Sequence, residues 1–120
     1  MATPTNYTPK RLVDPAQLTG AYTILYTSPA SPALGTQVTS IKLVNTGTAA
    51  VTATLNIVKS GGAVDTTTMI CDAFSVPPDG LPYEILTQPQ AFYLNASDTI
   101  RGLASTTAII TYHMSGVELA

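Results

Sequence analysis

Few side chains in this 120-residue sequence are equipped for chemistry. His113 is its one histidine and Cys71 its one cysteine, so a histidine-based dyad would need a partner nucleophile such as Cys71, and a histidine cage for a metal is excluded. Cys71 sits between Ile70 and Asp72 in a run that reads as mid-strand, where a buried, inert thiol is the ordinary case. Asp72, Asp79 and Glu84 flank a proline-rich stretch and could share a calcium ion with backbone carbonyls. Their spacing matches no ligand loop, so solvated loop carboxylates are expected. There is no phosphate-cradling glycine loop, no G-x-S-x-G elbow and no carboxylate pair on a recognisable scaffold. Six tyrosines without a tryptophan make a weak platform for sugars. The residues therefore predict no catalytic, cofactor-binding or metal site, and a protein that is not an enzyme.

The elements that would position any site are strands. Residues 37–59 alternate apolar and polar side chains in two runs, with Ile41 and Leu43 in the first and Val51, Ala53, Leu55 and Ile57 in the second. This is the period of a half-buried strand, and Asn45-Thr46-Gly47-Thr48 between the runs predicts a tight-turned hairpin. Residues 20–28 predict a first strand, ended by Pro29 and Pro32, and residues 66–75 a strand carrying Cys71. Residues 76–82 contain three prolines and Asp79-Gly80, which predicts a loop of some length and a place where binding tends to sit. Short strands follow at 83–87 and 91–94, and a second hairpin over 99–104 and 108–119 has Ser105-Thr106-Thr107 as its turn. No segment carries a helical period with caps. About eight short strands with regular turn signals predict an all-β fold: one antiparallel β-sandwich, either a jelly roll or an immunoglobulin-like Greek key.

Residues 1–19 hold three prolines and no sustained period, which predicts an extended N-terminal arm preceding a sandwich domain over residues 20–120. Tyr7, Leu12 and Val13 are the apolar anchors by which such an arm would lie across a neighbouring subunit.

Composition narrows the function further. Only 10% of residues are charged, against roughly 25% in an average soluble domain, and twenty threonines take their place. A neutral, hydrogen-bonding surface of that kind points to protein contact over much of its area. The five cations are scattered and the net charge is −2, which argues against nucleic acid as a partner. One cysteine permits no internal disulfide and fits synthesis in a reducing compartment. No signal-peptide pattern opens the sequence and no apolar run is long enough to span a bilayer, so no membrane role is expected. Asn95-Ala96-Ser97 matches a glycosylation pattern and is read as a turn.

Several segments together resemble a known group. Residues 21–27 (AYTILYT), residues 39–45 (TSIKLVN) leading into Thr46-Gly47, residues 51–58, the stretch from Tyr93-Leu94 to Asp98-Thr99-Ile100, and the ending SGVEL over 115–119 carry the likeness. They are similar to small β-sandwich structural proteins of tailed-bacteriophage particles. The resemblance implies a virion component, made in the host cytoplasm and assembled as a symmetric homo-oligomer, often a trimer. Its expected partners are the major capsid protein or neighbouring virion proteins. The function expected on this basis is capsid decoration or cementing of the assembled head, with a tail-fibre or head-fibre attachment module as the alternative. The docking residues expected in the proline loop are Val76, Leu81 and Tyr83.

Overall fold

The computed structural model describes residues 6–65, 67–85 and 92–120. Among them the chain forms ten strands and no helix: β1 (Tyr7–Arg11), β2 (Ala16–Gln17), β3 (Thr23–Thr27), β4 (Gly35–Asn45), β5 (Val51–Val58), β6 (Met69–Val76), β7 (Tyr83–Glu84), β8 (Phe92–Leu94), β9 (Thr99–Ala104) and β10 (Ile110–Leu119). They make two antiparallel sheets packed as a β-sandwich. A six-stranded sheet runs β1-β10-β4-β7, with β2 also on β10 and β8 also on β4, and a four-stranded sheet runs β3-β9-β5-β6.

Both expected hairpins need correction. The strands of residues 37–59 form as predicted, but β4 and β5 do not pair; β4 bonds to β10 and β5 to β9, in different sheets. The second pair behaves the same way, with β9 in one sheet and β10 in the other. A hairpin would place both apolar rows on one face of one sheet. The chain instead arches across the sandwich, so that Ile41 and Leu43 of β4 join one core with Ala53 and Leu55 of β5. Asn45 shapes the first arch from inside: it is 1% exposed, its Nδ2 donates to the Ala49 and Val76 carbonyls at 2.8 and 2.9 Å, and its Oδ1 accepts the Gly47 N–H at 2.8 Å. The two arches are tied to one another, since the Thr46 N–H and hydroxyl both donate to the Ile109 carbonyl.

The core follows the alternation read from the sequence. Ile110, Tyr112 and Met114 of β10 face Val51, Ala53, Leu55, Ile100 and Ala104 of the other sheet, with Val38 and Leu94 filling one end. β6 is less regular than expected. Its register against β5 slips twice, and Ala73 takes φ 49°, so the strand bulges at the sheet edge.

The separate arm is also revised for the residues described. β1 lies along the free edge of β10 from Tyr7 opposite Leu119 to Arg11 opposite Ser115, and β2 pairs with Thr111 and Tyr112. Leu12 and Leu18 are 8% and 1% exposed and belong to this chain's own core. The reason is that β10 extends over ten residues and offers a second edge that β4 leaves open. The arm's residues 1–5 lie outside those described, as do Thr66 and residues 86–91, which hold the whole break expected between the two short strands and the adjoining end of each.

Candidate functional site

The proline loop takes its shape from Asp79. Its Oδ1 accepts the Leu81 N–H at 3.0 Å, and its Oδ2 accepts the Tyr83 hydroxyl. The Tyr83 bond first, then the Leu81 bond, hold the Asp79 carboxyl below its ordinary range, and the same hydroxyl bond pushes the Tyr83 phenol up. Gly80 supplies the left-handed residue of the turn, with φ 70°. Leu81 is left 59% exposed. Tyr83 begins β7 opposite Leu43, and its ring packs partly against the core. Val76 is fully buried, opposite Val51 at the end of β6, so it is a core residue and not a docking residue. Of the three residues expected to dock, the loop presents Leu81 fully and Tyr83 in part.

The N-terminal residues divide in a similar way. Asn6 and Ala120 exchange both backbone hydrogen bonds, at 2.8 and 3.0 Å, which sets the alternation of β1 against β10. Thr8, Lys10 and Leu12 then face inward, and Tyr7, Pro9 and Arg11 face out. Tyr7 is 63% exposed. Leu12, expected to anchor on a neighbouring subunit, is instead part of this chain's core, and Val13 packs partly against it.

These strands build an uncharged outer face at one end of the six-stranded sheet. Pro9, Val117, Gln37 and Tyr93 lie opposite one another in succession across β1, β10, β4 and β8, and Tyr7 stands opposite Leu119 in the next outward row. Tyr93 is held in place by its hydroxyl, which donates to the Leu34 carbonyl. The charged outer residues of this sheet, Arg11, Lys42 and Glu84, lie toward its other end, with His113 opposite Lys42. Tyr93 escaped notice in the sequence because the partners that make a face of it come from distant strands. The four-stranded sheet exposes Ile24 and Met69, and Tyr22 is exposed just before β3.

Beneath the uncharged face runs a buried chain of hydroxyls. The Tyr26 hydroxyl donates to Glu118 Oε2 at 2.6 Å, so its bond with Thr36 at 3.0 Å is one in which Thr36 donates. Thr36 then accepts from Ser28 at 2.9 Å, and Lys10 donates to Glu118 Oε1 at 3.1 Å. The chain joins β3 of one sheet to β1, β4 and β10 of the other. Burial first, and then the Glu118 carboxylate, push the Tyr26 phenol up to about 12. Desolvation works to raise the Glu118 carboxyl, but the bonds from Tyr26 and Lys10 and the lysine charge outweigh it and leave it below its ordinary value.

The groups singled out for chemistry do not converge. Cys71 is on β6 at the edge of the four-stranded sheet, and His113 is exposed on the outer face of the other. Burial pushes the Cys71 thiol up, away from the reactive thiolate. Glu84 accepts from the Ser40 hydroxyl and the Ile41 N–H, and among the described residues no three metal-ligating side chains gather. A cavity of about 420 Å³ opens beside Lys59, Asp65, Thr68 and Asp98. Its carboxylates are engaged by local groups: Asp98 accepts the Ser60 and Asn95 N–H groups, both at 3.0 Å, and Asp65 accepts the Thr67 N–H and hydroxyl. Such bonds organise the local loops.

Comparison with known protein families, with curated proteins and with solved structures finds no match to this chain.

Proposed function

We propose that this chain is a non-enzymatic structural protein of a bacteriophage particle, a decoration or cement protein that binds and stabilises the assembled head. The observation that carries the reading is the uncharged outer face made by Tyr7, Pro9, Gln37, Tyr93, Val117 and Leu119. Apart from Tyr22, just before β3, the large exposed apolar side chains stand on strands and on the Asp79 loop, and none of them lines the cavity beside Lys59 and Asp98. A protein built that way acts by contact. Aromatic and aliphatic side chains without charge are what the centre of a protein interface requires.

The strand order supports the same reading. With β1 and β2 taken as one interrupted strand, and β7 and β8 as another, eight strands run in the order of a jelly roll, a fold used by viral capsid domains and also by lectins. The resemblance of several segments within residues 20–119 to phage sandwich proteins is what favours a phage particle. The mechanism is mass action: a protein that binds only the assembled shell stabilises it by the free energy of that binding. A trimer matched to a local symmetry axis would multiply weak contacts through effective concentration.

The test is copy number in purified particles, by quantitative mass spectrometry against the major shell protein. The expected result is a ratio that scales with the number of shell subunits. A few copies per particle would move the protein to a tail or head fibre, where Leu81 and the exposed tyrosines would serve attachment, and absence from particles would overturn the reading.

A further inference from the structure

We infer that β1 is an exchangeable strand: residues 7–11 of one copy replace residues 7–11 of a second copy on the edge of that copy's β10. This deepens the reading of the chain as an assembling structural protein, and rests on that reading only for the purpose the exchange would serve.

β1 brings no side chain to the core, and all five of its residues are exposed. It is held by its backbone ladder to β10 and by the ion pair of Lys10 with Glu118 at 3.1 Å, whose lysine is itself well exposed. Core anchorage begins one residue later. Leu12 is buried and its N–H donates to the Met114 carbonyl at 3.0 Å, and Leu18 is buried deeper still. Residues 7–11 can therefore leave β10 without opening the core, with Leu12 as the pivot. Laid along the neighbour's β10 they cover about 17 Å of its edge, at ~3.3 Å per residue, so the two β10 edges must come together beside the Leu12 pivot.

The docked strand also closes its own outer edge. The alternation set by Asn6 and Ala120 turns the backbone groups of Tyr7, Pro9 and Arg11 away from β10. Pro9 falls on this outward side, where it interrupts the row of donors that another strand would need. A second copy therefore cannot extend the sheet by adding to β1, and it gains β10 only by replacing β1. The strand that fits is the same strand from another copy, which restores the ladder, returns a lysine to Glu118 and again turns proline outward. Because closed and exchanged forms make the same bonds, concentration and proximity decide between them, and a reciprocal pair leaves no open edge for further growth.

The test uses two single variants, Arg11→Cys and Ser115→Cys, each carrying Cys71→Ala. Arg11 and Ser115 stand directly opposite in the ladder, at a pair that does not exchange backbone hydrogen bonds, where Cβ atoms are closest and a disulfide fits. The two proteins are mixed at increasing concentration, oxidised and mapped by peptide mass spectrometry, with the double variant in one chain as the geometric control. The expected result is a disulfide joining position 11 of one chain to position 115 of the other, in a yield that rises with concentration. Cross-linking in the double variant but none in the mixture would show that β1 stays at home and would overturn exchange. So would a double variant that folds and fails to cross-link, because the ladder itself would then be misassigned. Exchange in a protein absent from particles would sink the proposed function and leave this inference standing.

Discussion

Replacing Tyr26 by phenylalanine removes one oxygen from the chain Ser28–Thr36–Tyr26–Glu118–Lys10, and its consequences separate at neutral and alkaline pH. At neutral pH the Glu118 carboxylate loses a 2.6 Å bond and the buried Thr36 hydroxyl loses its acceptor. A hydrogen bond to a charged group contributes about 1.5–3 kcal/mol, so Tyr26→Phe should cost about 2–3 kcal/mol near pH 8. The alkaline effect has the opposite sense. The phenol titrates near 10 in the unfolded chain and is pushed up to about 12 in the fold by burial and by Glu118. Between those values the unfolded state gives up its proton while the folded state keeps it, so stability falls as pH rises. One unit of pKa is about 1.4 kcal/mol, which makes the loss about 1.4 kcal/mol near pH 11 and sets its ceiling at about 2.7 kcal/mol.

Phenylalanine cannot ionise, so the variant escapes this loss. The gap between wild type and Tyr26→Phe in urea denaturation should narrow from about 2–3 kcal/mol near pH 8 to about 1 kcal/mol near pH 11. Tyr112 is also raised by burial and Tyr83 by its bond to Asp79, but both are common to the two proteins and cancel in the gap. Titration of tyrosinate absorbance in the folded proteins gives the independent check, since one late-ionising phenol should be missing from the variant. A gap that stays constant from pH 8 to about 11 would refute the buried phenol–carboxylate pair.

Other substitutions test the arches, the packing, the acid limb and the surface. Asn45→Ala removes three hydrogen bonds inside the first arch and should destabilise by about 2–4 kcal/mol in urea melts. A loss below about 0.5 kcal/mol would show that the arch does not depend on this side chain. At Gly35 an added Cβ would meet the Leu94 carbonyl oxygen at 2.2 Å with φ at +136°, so Gly35→Ala should cost more than about 2 kcal/mol. Gly61→Ala, left-handed but facing open space, should cost only about 1–2 kcal/mol in the same assay. Glu118 is held below its unfolded value, so its contribution is present above the ordinary carboxylate range and is lost as pH falls through the lowered folded value; Glu118→Gln should flatten that acid limb in pH-dependent melts. Leu81→Ser should leave stability within about 0.5 kcal/mol while weakening attachment to shells roughly tenfold in a sedimentation assay, if Leu81 is an anchor of the interface.

Much of this fold was legible in one dimension. Period-two patterning placed strands over residues 37–59 and 99–119 and picked out Ile41, Leu43, Leu55, Ile110, Tyr112 and Met114 as core, because in a strand the face a side chain takes is set locally. Pro77, Pro78, Pro82 and Asp79-Gly80 marked the loop for an equally local reason, the loss of ladder donors and the ease of a turn. Pairing was not legible. Asn45-Thr46-Gly47 suits a hairpin and an arch alike, and what separates them is the location of the surface that buries each apolar row. Residues 7–18 were misjudged for the same reason: three prolines and a weak period hide a strand that exists only because β10 leaves an edge for it.

The candidate site divides along the same line. That one histidine and one cysteine bound the histidine- and thiol-based chemistry any arrangement could offer is read from the sequence alone. That Tyr7 and Tyr93 belong to one uncharged face, that Val76 and Leu12 are core, and that Tyr26 reaches Glu118 across 92 positions were decided by tertiary structure. Residue types and their alternation set which side of a strand is wet. Only the pairing of strands far apart in the chain determines which wet sides adjoin, because that choice depends on the whole core being buried at once.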